Sequence, residues 1–178
     1  LADLPGSTLE GEAIRGILQH DHAQEPLHGE TEVLLFAASR AQLVRRVIRP
    51  ALEDGAWVVS DRFADSTTVY QGIGRGFGID AMIGINAFAT GETVPDLTLL
   101  LDLDTEAGFR RLAERQSREG TGPDRMEREA REFHRRVREG YLDLARREPA
   151  RFRVLDASGG PDAVESLVWA EVERVLHG

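Results

Sequence analysis

Apolar positions along this chain switch between two periods. Over 10–18 they suit a short helix, and 19–28 is polar and reads as a loop. From 31 to 48 they recur at Val33, Phe36, Ala37, Ala41, Val44 and Ile48, which is helical spacing. Arg49-Pro50 tapers into a further turn or two. Asp54-Gly55 then opens the run Ala56-Trp57-Val58-Val59, which predicts a buried strand over 56–60. A helix is predicted over 79–90, stopped by Gly91. The almost unbroken apolar run at 97–103 predicts a strand buried on both faces. A helix over 105–114 precedes a polar, glycine-containing loop at 117–123. A long helix is predicted over 124–147, with Ala130, Phe133, Val137, Tyr141 and Leu144 on one face. A strand at 152–156 and an amphipathic helix at 161–176 close the chain. Strands alternating with helices predict an α/β fold of three layers, a parallel sheet with helices on both faces. Repeats and low-complexity linkers are absent, so residues 1–178 are expected to form a single domain.

The 178 residues carry a formal net charge of -9, which excludes a broad electrostatic attraction to nucleic acid. Any phosphate ligand must be gripped by a local cluster of positive groups. No cysteine is present, hence no disulfide framework and no thiolate metal site. No apolar run is long enough to span a bilayer. All 22 basic residues are arginine. A chain without lysine cannot contain the phosphate loop G-x-x-x-x-G-K-[S/T].

The densest chemistry runs from Asp61 to Gly76: Asp-Arg-Phe-Ala-Asp-Ser-Thr-Thr-Val-Tyr-Gln-Gly-Ile-Gly-Arg-Gly. A strand ending in Asp61-Arg62 sets a carboxylate and a guanidinium at the carboxyl edge of a sheet, where open α/β folds bind ligands. The carboxylate can hold Mg²⁺ through water, and the guanidinium can grip a phosphate with two parallel hydrogen bonds. The hydroxyls, aromatic and amide beyond them suit a sugar and a base. Several other constellations carry no chemistry. His20, Asp21, His22 and His28 match no metal-ligand spacing. Asp102 and Asp104 are read as strand-end residues, because alternate residues of a strand face opposite ways and cannot converge unless the strand has already ended. Gly72, Gly74, Gly76 and Gly78 lack the strand that a dinucleotide fingerprint requires.

The stretch from Asp61 resembles the segment of thymidylate kinases that reads close to DRY-x-DSS-x-AYQG-x-GRG. Leu34-Leu35-Phe36-Ala37-Ala38-Ser39-Arg40 resembles the family's Leu-Leu-Phe-Ala-Ala-Asp-Arg. The resemblance covers about 5–175 and implies a P-loop NTPase-like nucleoside monophosphate kinase fold. It implies roles as well. Phe36 stacks on thymine, and Arg40 donates to a base carbonyl. Thr67 and Gln71 are hydrogen-bond partners of the base. Tyr70 packs beneath the deoxyribose, and Arg75 braces either the acceptor site or only the loop. Arg62 holds the acceptor phosphate, and Asp61 is the Mg²⁺ or water ligand. A lid over the donor phosphates is expected at about 115–125, with Arg115, Arg118 and Arg125 as its arginines. Ala157 and Ser158 resemble the loop beside the donor adenine. The implied reaction is MgATP and dTMP to ADP and dTDP, in a cytoplasmic homodimer that binds neither nucleic acid nor membrane. The alternatives are an inactive nucleotide-binding homologue and a kinase of another nucleoside monophosphate.

Only three strands are evident, against five in the family. Pro5-Gly6-Ser7-Thr8 resembles the end of a family segment, Arg-Glu-Pro-Gly-Gly-Thr, that lies after the phosphate loop and second strand. The expectation is therefore that an N-terminal segment carrying the first strands and the phosphate loop precedes the given residues.

Overall fold

The structure is a computed structural model that describes residues 2–3, 6–19, 26–120, 122, 127 and 129–177. It divides into two units, one built on Leu1–Val94 and the other on Pro95–Pro123 together with Arg128–Gly178.

In the first unit, the two-residue strand β1 (Ala2–Asp3) pairs in parallel with β2 (Ser60–Asp61), Ala2 opposite Ser60 and Asp3 opposite Asp61. Helix α1 spans Leu9–Gln19 and helix α2 spans Gly29–Leu43. The chain continues from α2 through a π-helical stretch, Val44–Ile48, into α3, Arg49–Glu53. Pro50 explains the wide turns. It has no N–H for the carbonyl four residues back, and its ring crowds that carbonyl, so the preceding turn opens. The core is Leu43, Val44, Ile48 and Phe63, with Val47, Val58 and Ala64 packed against it. Helix α4 (Ala64–Thr67) runs into a second π-helical stretch, Thr68–Gly74. Helix α5 (Ile79–Thr90) ends at Gly91, whose φ of 62° falls in the left-handed region. Arg45 and Arg49 donate to the carbonyls of Ala89 (2.7 Å) and Thr90 (3.2 Å), satisfying groups that a helix end leaves open.

In the second unit, β3 (Thr98–Asp102) and β4 (Phe152–Asp156) pair in parallel along their whole length, Thr98 opposite Phe152 through Asp102 opposite Asp156. Parallel strands need a crossover, and α6 (Thr105–Glu119) and α7 (Arg131–Arg147) lie in it. The Asp104 carboxylate caps α6, accepting from the amides of Glu106 (3.1 Å) and Ala107 (3.3 Å). Helix α7 buries Phe133, Val137, Gly140 and Ala145. Helix α8 spans Pro161–His177.

Four expectations are corrected. The strand expected over 56–60 is confined to Ser60–Asp61, and Trp57 is 69 % exposed. A strand exists only where a neighbour completes its ladder, and β1 faces two residues. The run at 97–103 is only partly buried, and Leu101 is half-exposed. The helix expected to stop at 114 continues to Glu119, absorbing the start of the expected loop at 117–123 and ending at Gly120 in the left-handed conformation. The helix expected from 124 begins at Arg131. Residues 20–25 and 123–126 lie outside the described residues, so His20, Asp21, His22 and Arg125 do too.

Candidate functional site

The carboxyl end of β2 presents Asp61 and Arg62, both exposed. Arg62 has φ 73°, one of two non-glycine residues with positive φ among those described. Its carbonyl accepts a hydrogen bond from the Ser60 hydroxyl at 2.7 Å. Its guanidinium lies over the ring of Tyr70, 5.1 Å from the centroid. The bent backbone thus delivers the guanidinium onto the aromatic of the next helical stretch. Among the described residues no cluster of three or more His, Asp or Glu could cage a metal. A single exposed carboxylate fits Mg²⁺, which keeps several waters and is bound through one or two carboxylates together with substrate phosphates.

Helix α2 lines up Glu32, Phe36 and Arg40 at intervals of four, so they share a face. Phe36 is half-buried, whereas Glu32 and Arg40 are fully buried. Arg40 donates to the Thr67 hydroxyl (2.6 Å), the Asn86 side-chain oxygen (2.7 Å) and the Phe63 carbonyl (3.4 Å). It also lies 5.9 Å from the centroid of the Phe63 ring. Glu32 accepts from Gln71 Nε2 at 2.7 Å and pairs with Arg75 at 3.5 Å. The structure therefore brings Arg40 to Thr67, Arg62 to Tyr70, and Gln71 and Arg75 to one carboxylate. Tyr70 and Gln71 sit in the π-helical stretch, a geometry frequent at functional sites.

Two residues here were not singled out from the sequence. Glu32 could have been found as the partner one turn before Phe36 on the same face. Asn86 could have been found as an amide in α5 four residues after the buried Met82, on the same helix face.

In the second unit, Arg115 and Arg118 lie exposed near the end of α6, each 4.0 Å from Glu119. Asp102 is held by Arg138 through two hydrogen bonds of 2.7 and 3.0 Å, and Asp104 is a helix cap. Asp104 also lies 3.8 Å from Arg138, so the two carboxylates meet at one guanidinium because β3 has ended at Asp102. The loop after β4 is tightly held. Ala157 is buried and its amide donates to the Asp102 carbonyl at 2.8 Å. Ser158 is exposed, and its amide donates to the Asp156 carboxylate at 2.8 Å. That amide bond, with a smaller contribution from the Ser158 side chain, holds the Asp156 carboxyl below the ordinary carboxylate range. Arg111 donates to three successive carbonyls, those of Ala157 (2.9 Å), Ser158 (2.8 Å) and Gly159 (3.0 Å).

The thymidylate kinase family model matches residues 4–168. A thymidylate kinase of Desulfosudis oleivorans is 50 % identical over 173 residues, 96 % of this chain and 80 % of that protein. A thymidylate kinase of Deinococcus radiodurans is 48 % identical over 97 % of this chain and 81 % of its own length. One from Pelotomaculum thermopropionicum is 49 % identical over 97 % of this chain and 77 % of its own. Both the Asp61–Gly76 stretch and the Phe36–Arg40 helix face fall inside the matched span. The chain belongs to the thymidylate kinase family, whose P-loop NTPase-like fold is of the three-layer α/β class.

Proposed function

We propose that this protein transfers the terminal phosphoryl group of ATP to dTMP, giving dTDP and ADP. It is a nucleoside monophosphate kinase. The observation that carries the acceptor side is the convergence of α2 on the Asp61–Arg75 stretch, with Arg40 bonded to Thr67 at 2.6 Å and Glu32 to Gln71 at 2.7 Å. Phe36 offers a ring to stack on the base, and Arg40 donates toward a base carbonyl. Thr67 and Gln71 supply further polar contacts to the base. Tyr70 packs under the sugar, where a 2′-hydroxyl would clash. Arg62 grips the acceptor phosphate, and Arg75 braces the site through Glu32.

Phosphoryl transfer asks a protein for positioning and charge stabilisation more than for covalent chemistry. Arg115, Arg118 and Arg125 are the cations assigned to the developing charge on the transferred group. Ala157 and Ser158 border the donor adenine. Asp61 is the carboxylate assigned to Mg²⁺, which when bound neutralises phosphate oxygens. The protein is proposed to work as a cytoplasmic homodimer, without nucleic acid or membrane as partner. No helix among the described residues is long and apolar enough to cross a membrane.

The test is dTMP-dependent ADP release from MgATP by the purified natural protein, with dTMP affinity measured by calorimetry. Arg40→Ala should weaken dTMP far more than ATP. Unchanged affinity for both would remove Arg40 from the base site, and absence of dTMP binding by the native protein would end the reading altogether.

A further inference from the structure

Asn86 is 6 % exposed on α5, and three hydrogen bonds engage its amide oxygen and nitrogen. Its oxygen accepts from Arg40 at 2.7 Å. Its nitrogen donates to the Ala64 carbonyl at 3.0 Å and to the Thr68 hydroxyl at 3.0 Å. The orientation of the amide is forced by its neighbours. A guanidinium has only donors to offer and a backbone carbonyl only acceptors, so the oxygen must face Arg40 and the nitrogen Ala64. The Thr68 hydroxyl completes the arrangement by approaching the same Ala64 carbonyl at 3.4 Å.

Arg40 is thereby gripped at both tips of its fork, by Asn86 on one terminal nitrogen and by Thr67 on the other, at 2.7 and 2.6 Å. Two anchors on different nitrogens fix the plane of a guanidinium. Thr67 and the Phe63 carbonyl both hold one of the two terminal nitrogens, and Asn86 holds the other. The plane decides whether an N–H lies along a lone pair of a base carbonyl, and hydrogen bonds weaken steeply when misaligned. The two anchors also come from different elements, α4 and α5, so the fork is set by the packing of three helices.

Resting on the base-site role of Arg40 given above, we propose that Asn86 is a positioning residue for base selection. It acts through Arg40 and touches no substrate. At C4 thymine presents a carbonyl where cytosine presents an amino group, so with Arg40 assigned to that position a correctly aimed donor favours the first and clashes with the second. Sites built to bond one such group reject its analogue strongly because a buried polar group is left unpaired. A fork that has lost the anchor on one of its nitrogens would lose part of that rejection.

The experiment compares dTMP and dCMP affinities by calorimetry on the natural protein and on Asn86→Ala, Asn86→Asp and Arg40→Ala, with Tm recorded for each. Asn86→Ala should lower the dTMP-to-dCMP affinity ratio by about tenfold. Asn86→Asp keeps an oxygen toward Arg40 but loses the N–H groups toward Ala64 and Thr68. It should lower Tm yet hold the ratio within about threefold of the native value. A structural cross-link alone would respond in the opposite sense, with Asn86→Asp losing the ratio as Asn86→Ala does, and that result overturns the proposal. An intact ratio in Asn86→Ala, alongside a reduced one in Arg40→Ala, overturns it while leaving the base site standing. An intact ratio in Arg40→Ala removes the base site itself, and the inference with it. Should Asn86→Ala fail to fold, the near-isosteric Asn86→Leu, which also lacks the acceptor for Arg40, takes its place: a lowered ratio supports the role and an intact one ends it.

Discussion

Arg62 combines an exposed side chain with a backbone that its residue type disfavours. At φ 73° a non-glycine residue is strained by roughly 1–2 kcal/mol, while glycine at an ordinary position is worse than alanine by roughly 0.5–1 kcal/mol. Relief of the strain outweighs the added flexibility of glycine. Arg62→Gly should therefore be more stable than Arg62→Ala by up to about 1 kcal/mol, a Tm difference of a few degrees for a chain of this size. Both variants lose the contact with Tyr70 and the grip on phosphate, so dTMP affinity should fall by about a hundredfold in each, as two charge-assisted hydrogen bonds imply. Thermal melts that rank alanine at or above glycine would show that the backbone here is not strained. Calorimetry showing native dTMP affinity would take the phosphate role away from Arg62. The ligand-facing residues were legible in the sequence because phosphate, sugar and base call on few side-chain types, and those occur here in one short run. Glu32 and Asn86 were not, because each acts on another side chain, 39 residues from Gln71 and 46 from Arg40. Only the packing of helices reveals such pairs.

Helices α1, α2, α5 and α7 announce themselves through apolar spacing, since each buries apolar residues, and α5 also through Gly91 at its end. Strand β4 is legible to the residue. The strand at 56–60 is not, because apolar composition cannot say whether a ladder partner exists, and Trp57 and Val59 remain exposed. The wide turns of the π-helical stretches carry no signature of their own, since Val44 and Ile48 fit ordinary helical spacing. The loop after β4 gives a prediction at this scale. Its turn is closed by the Asp156 carboxylate accepting from the Ser158 amide, which lowers the carboxyl pKa in the folded state. A carboxyl depressed on folding stabilises fully above its unfolded value of about 3.9 and loses that contribution as pH falls through the lower folded value. The Ser158 amide resonance should therefore titrate with a midpoint below the ordinary aspartate value. Asp156→Asn, which keeps an acceptor but not the charge, should make the acid limb of stability shallower. A midpoint at or above the ordinary value would mean the turn is not held by the carboxylate.

For the molecule as a whole, the proposed homodimer sets two forces against each other. Each chain carries a net charge of -9, so two copies repel through solvent. Against this, α2 and α5 of the first unit expose Leu34, Ile83 and Phe88, with Phe88 88 % accessible. Single exposed apolar residues are ordinary on a protein surface. Three large ones on two neighbouring helices are the apolar area a dimer through these helices would bury, and covering a phenylalanine is worth about 1.5–3 kcal/mol. Copies held by apolar contact against charge repulsion should associate more tightly as salt rises, because screening removes the repulsion and leaves the attraction. Light scattering on the natural protein should thus report twice the chain mass at micromolar concentration, with a dissociation constant that falls as sodium chloride is raised from about 0.05 to 0.5 M. Phe88→Ser, which changes no charge, should shift the population toward monomer at every salt concentration. Association that weakens with salt would mean the interface is held by ion pairs, and a dimer indifferent to Phe88→Ser would place the interface elsewhere on the molecule.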